Sequence, residues 1–84
     1  MGSNWGKNMP HVKVWMYPGR TDEQKKTLTD ALETCFKDTL QASSDSISVS
    51  IEEVPQENWH DEIVSKEIIE KAAHVTKKPG YPID

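Results

Sequence analysis

Pro10-His11-Val12-Lys13-Val14-Trp15-Met16-Tyr17-Pro18-Gly19-Arg20-Thr21-Asp22-Glu23-Gln24-Lys25 reads as a strand that runs through a turn into a helix. Val12, Val14 and Met16 alternate with His11, Lys13, Trp15 and Tyr17, so an extended chain puts the two sets on opposite faces. The second set holds two aromatics, so that face can be partly covered as well. A proline at the first strand position removes no ladder donor that has to be used, and Pro18-Gly19 stops the strand. Thr21 can cap the first amides of a helix, and Gln24, three residues on, completes a capping box. Asp22 and Glu23 fall in the first turn, where the helix dipole favours anions. Leu28, Ala31, Leu32, Cys35, Phe36, Thr39 and Leu40 then recur at helical spacing, with Lys25, Lys26, Asp30, Glu33 and Lys37 on much of the remaining surface.

Downstream, residues 41–46 form a polar, serine-rich turn. Ile47, Val49 and Ile51 alternate with Ser48, Ser50 and Glu52, the pattern of a strand with one buried face. Pro55-Gln56-Glu57 breaks it. Ile63, Val64, Ile68, Ala72 and Val75 predict a second helix from about Asp61 to Thr76, and Lys77-Lys78-Pro79-Gly80-Tyr81-Pro82 ends it as an irregular tail. The fold class is α+β, built on an α/β-type β-α-β unit: a β-α-β-α protomer. A helical connection of this length makes the two strands parallel and the crossover right-handed. A sheet of two strands is too small to stand alone. A second copy at its edge would give a four-stranded sheet with helices on one face, and the symmetric solution is a two-fold homodimer.

The chain has 84 residues, enough for one small domain. Met1 to Met9 reads as an N-terminal extension or an expression remnant, and residues 10–84 as a single domain. The opening residues lack the apolar core of a signal peptide, and no apolar stretch reaches membrane-spanning length. A net charge of −4 argues against nucleic acid or an anionic membrane as partner. Cys35 is the lone cysteine, which allows no internal disulfide and points to a reducing cytoplasm. Its place among apolar helix positions predicts a buried structural thiol. His11, His60 and His74 are far apart and lack metal-ligand spacing, so no metal site is expected.

The register from Pro10 through Gly19-Arg20, the Thr-Asp-Glu-Gln-Lys helix start, the strand from Ile47 to Val54, and Trp59 in the loop after it resemble the 4-oxalocrotonate tautomerase family. Mature chains of that family begin with proline and use its amine as a base. The resemblance implies a cofactor-independent tautomerase acting on an enol or dienol carboxylate, with Pro10 shuttling a proton between oxygen and carbon. It implies that Arg20 binds a substrate carboxylate and that Trp59 lines the pocket and keeps it apolar. The family's second arginine falls at Ser48, where the match fails, so a monocarboxylate enol such as an arylpyruvate enol suits the site better than a dicarboxylate. The C-terminal helix, the ending Lys-Lys-Pro-Gly-Tyr, serine near position 48 and His11 after the proline are similar to the dimeric PptA-type bacterial tautomerases. That likeness implies a dimer rather than a hexamer, and a tautomerase-like domain over residues 10–84.

Proton transfer between carbon and oxygen near neutrality needs a base that titrates near the working pH. An apolar surround and a nearby cation lower an amine into that range. Trp59 and Arg20 are the residues available for those effects. In this chain Met9 precedes Pro10, and an amide nitrogen has no basic lone pair. The sequence therefore supports two readings: an isomerase whose Pro10 becomes the free N-terminus, or a non-catalytic oligomer of the same fold whose proline is blocked by the extension. Arg20 stands beyond a strand of roughly 25 Å from Pro10, so an antiparallel partner strand would have to supply the arginine to each site. Each residue also has a plain reading. Arginine is usually solvated. His11 and Lys13 fit a strand surface, with His11 as the lesser substrate-binding candidate. Ser48 and Ser50 fit the polar face of a strand, and Trp15 and Tyr81 suit a pocket or an interface equally. Glu52-Glu53 and Asp61-Glu62 read as solvated charges.

Overall fold

Alternation from His11 onward produces β1, His11–Met16, and the second alternating run produces β2, Ser48–Glu53, in the computed structural model, which describes residues 8–83. Residues 1–7 of the expected extension therefore lie outside the described residues. The Ser48 amide donates to the Pro10 carbonyl at 3.2 Å and the Val54 amide to the Met16 carbonyl at 2.9 Å. Both bonds join residues the same number of positions apart, which is the signature of parallel strands. The two strands form one sheet, and α1, Asp22–Leu40, connects them.

The capping box read from the sequence is present in full. The Gln24 amide donates to Thr21 Oγ1 at 3.0 Å, and the Thr21 amide donates to Gln24 Oε1 at 2.9 Å. At the other end Gln41 takes a left-handed conformation, φ 56°, and closes α1. Gly19, in the turn before the helix, sits at φ 124°, a region that side-chain-bearing residues rarely adopt. A Cβ there would meet nothing within 4 Å, so the backbone angle, not lack of space, calls for glycine.

The described residues form two compact units. The first contains the chain up to Val14 together with Gly19–Glu52; the second contains Trp15–Pro18 and the chain from Glu53 onward. In the first, Ala42 and Ser46 are buried, and the Ser46 hydroxyl donates to the Ser43 carbonyl at 2.8 Å within a short 3₁₀ turn, Ser44–Ser46. No residue of α1 is buried. Leu28, Leu32 and Phe36 are half-exposed, while Ala31, Cys35 and Leu40 are exposed. This corrects the expectation for Cys35: the thiol is exposed, because helical spacing assigned it to a face that the described residues do not cover.

In the second unit Val54, Ile63 and Val64 are buried, Val64 at 2% exposure. The second helix begins earlier than the sequence predicts. Pro55, at φ −56°, sits immediately before α2, Gln56–Trp59, and the Asn58 amide donates to the Pro55 carbonyl at 2.9 Å. Strand break and helix start thus coincide at one proline, whose fixed φ and missing amide suit a helix entrance. Trp59 is accordingly helical, where a loop was expected. The helix continues as a π-helical segment, His60–Ile69, and the Glu70 amide donates to the Ser65 carbonyl five residues back at 3.0 Å. Ile63 with Ile68, and Val64 with Ile69, repeat at that same five-residue interval, so wider winding keeps each pair on one side. A 3₁₀ turn, Ala72–His74, stands where the sequence predicts the helix to continue. A shallow apolar groove of about 180 Å³ is lined by Ile68, Ile69, Ala72, Val75, Lys78 and Ile83.

Candidate functional site

Apart from Arg20, the candidate residues fall into two clusters, one in each unit. The first is at the N-terminal end of β1. Pro10 is half-buried, and its carbonyl accepts from the Ser48 amide. His11 Nδ1 lies 2.7 Å from Ser48 Oγ, a hydrogen bond across the two strands. One residue of β2 therefore holds Pro10 through its backbone and His11 through its side chain. Further along the same face Lys13 pairs with Glu52 at 2.9 Å. Met9, which joins Pro10 through an amide, is 54% exposed and left-handed, with φ 43°. A residue before proline normally stays extended, so the junction stores strain on the order of 1–3 kcal/mol.

Arg20 lies at the other end of β1, exposed, one residue before the Thr21 cap. Its guanidinium has no hydrogen bond or ion pair with another described residue. Position and exposure leave the fork open to an anion, which it can hold in a bidentate fashion.

The second cluster is aromatic. The Tyr17 and Trp59 rings meet edge to face, with centroids 5.1 Å apart and planes at 86°. Such pairs are favoured by the ring quadrupoles. The Trp59 indole N–H donates to the Tyr81 hydroxyl at 3.2 Å, so the C-terminal tail returns to α2. Of these three, the sequence marked Trp59, left Tyr81 between two roles and did not single out Tyr17. The Ser48–His11 bond was also missed. Its signal was the parallel register, which brings the starts of the two polar strand faces together. Among the described residues no group of His, Cys, Asp and Glu side chains could hold a metal ion, and no helix is long and apolar enough to cross a membrane.

The family described as "Tautomerase enzyme" matches residues 10–67, a segment that starts at Pro10 and runs through β1, α1, β2 and α2. The chain belongs to the tautomerase family. A relative named Tautomerase PptA, from Cronobacter sakazakii, is 35% identical over 74 residues, covering 87% of this chain and 97% of the relative. A 2-hydroxymuconate tautomerase from Bacillus subtilis is 43% identical over 51 residues, covering 61% of this chain and 82% of the other. Among solved structures, one of the 4-oxalocrotonate tautomerase isozymes of Methylibium petroleiphilum superposes with a TM-score of 0.57 at 30% identity, over 60% of this chain and 81% of that one. The tautomerase family read from the Pro10 register, and the likeness to PptA read from the C-terminal ending, Ser48 and His11, are thereby shown, as is the β-α-β-α fold with parallel strands.

Proposed function

We propose that this chain is a cofactor-independent keto–enol isomerase in which Pro10, as a free N-terminus, is the general acid and base on an enol or dienol carboxylate. The observation that carries this reading is the family match beginning at Pro10, the residue immediately before β1. In the reaction the Pro10 amine takes the proton from the enol oxygen and delivers it to carbon. Arg20 pairs with the substrate carboxylate, Trp59 supplies an apolar aromatic wall, and His11 touches the substrate beside Pro10. Because Arg20 and Pro10 lie at opposite ends of β1, each site takes its arginine from a second copy. The working unit is a homodimer whose two sheets join into one of four strands. Serine in place of a second arginine at position 48 favours a monocarboxylate. The functional domain runs over residues 10–84, and a lone cysteine suits a reducing compartment such as the cytoplasm.

The reading makes activity depend on the state of one nitrogen. A base has to titrate near the working pH and reach the proton it moves; an amide nitrogen fails the first condition. The test compares the chain as given with one that starts at Pro10, each N-terminus verified by mass spectrometry, in ketonisation of an enolpyruvate such as phenylenolpyruvate. The shorter chain should be clearly active, the longer one nearly inactive, and Pro10→Ala in the shorter chain should lose most of the rate. Equal activity from a verified uncleaved chain would refute the role of Pro10 and leave a non-catalytic or differently catalysed protein.

A further inference from the structure

Ser48 makes two contacts at the head of the sheet, and they fix more than the strand register. Its amide bonds the Pro10 carbonyl at 3.2 Å, and its hydroxyl oxygen lies 2.7 Å from His11 Nδ1. Both side chains are exposed, and among the described residues His11 Nε2 has no hydrogen-bond partner. In a neutral imidazole one nitrogen donates and the other accepts, and the bond made by one sets the state of the other. If the Ser48 hydroxyl donates to Nδ1, the ring proton resides on Nε2, pointing away from the serine. An isomerase of 2-oxo acids develops negative charge on the C2 oxygen, and a donor held next to Pro10 can stabilise that charge without reorganising during the reaction.

We propose that Ser48 is a positioning residue that fixes His11 Nε2–H as a donor, and that this donor recognises the C2 oxygen of a 2-oxo or 2-enol monocarboxylic acid. The assignment rests on the isomerase reading for its substrate, but not on Pro10 being free. His11 moves no proton in this role. It polarises the C2 carbonyl and stabilises the enolate oxygen while another group transfers the proton. The Lys13–Glu52 pair on the same face is already matched in charge, so it offers the oxygen no competing cation.

The test is binding to the full-length chain, with phenylpyruvate and 3-phenylpropanoate as probes. The two acids share the carboxylate and ring and differ in the C2 oxygen. Wild type should bind phenylpyruvate more tightly. His11→Phe should remove that preference, a change of up to about tenfold for one hydrogen bond, while leaving 3-phenylpropanoate affinity unchanged. His11→Gln, whose amide can donate, should restore part of it. Ser48→Ala should weaken the preference severalfold, and adding it to His11→Phe should change nothing further. The ¹⁵N shifts of the His11 ring should show Nδ1 as the acceptor nitrogen. Equal losses for both acids, additive effects of the two substitutions, a proton on Nδ1, or no binding of phenylpyruvate by wild type would each overturn the assignment. A His11-dependent preference in a protein without turnover, even when started at Pro10, would keep this role and remove Pro10 as the base.

Discussion

Arg20 owes its position to its neighbours. Gly19 supplies a φ of 124° that turns the chain, and Thr21 starts the helix, so the arginine projects from a short, well-defined corner. It contributes to no buried cluster, and its removal should leave the fold intact. In an active chain beginning at Pro10, Arg20→Ala should weaken carboxylate-bearing enols by about 1.5–3 kcal/mol, the range for a hydrogen bond to a charged group. In steady-state kinetics that is roughly a tenfold to hundredfold drop in kcat/KM. An unchanged kcat/KM on phenylenolpyruvate would make Arg20 a solvated surface charge. The strand opened by Pro10, the Pro18-Gly19 turn and the cap were legible because each depends on its immediate neighbours. The bond from Ser48 to His11 was not, because it joins residues 37 positions apart that meet only once the strands pair in register.

At the level of elements, α1 shows how local chemistry and tertiary context divide the work. Its start is fixed by two reciprocal hydrogen bonds between Thr21 and Gln24. Thr21→Ala should destabilise the protein by about 1 kcal/mol, and Thr21→Ser by much less, since serine caps equally well. Urea unfolding measures both, and equal losses for the two variants would show that the cap contributes nothing. The apolar stripe on α1 was readable from its period, but its degree of burial was not, which is why Cys35 was assigned the wrong environment. The second helix was misplaced for a different reason. Ile63 with Ile68 and Val64 with Ile69 repeat at five positions, an interval read against an α-helical template, and the proline that ended β2 concealed the helix start directly behind it.

At the scale of the whole molecule, among the described residues the two strands leave open edges, and the buried residues are few: Ala42, Ser46, Val54, Ile63 and Val64. Chains of this size bury a modest share of their surface unaided, and unpaired strand edges invite a partner. Sedimentation at micromolar concentration should therefore give a mass well above that of one chain. A clean monomer would also end the idea of a site built from two subunits. The bare flank of α1 extends this to motion. A helix with no buried residue is held closed mainly by its own backbone, and such segments open at low free energy. Its amides then act as reporters of company: from Leu28 to Leu40, deuterium uptake should be fast in dilute solution and slow severalfold as concentration rises, while the amides of Ile63 and Val64 change little.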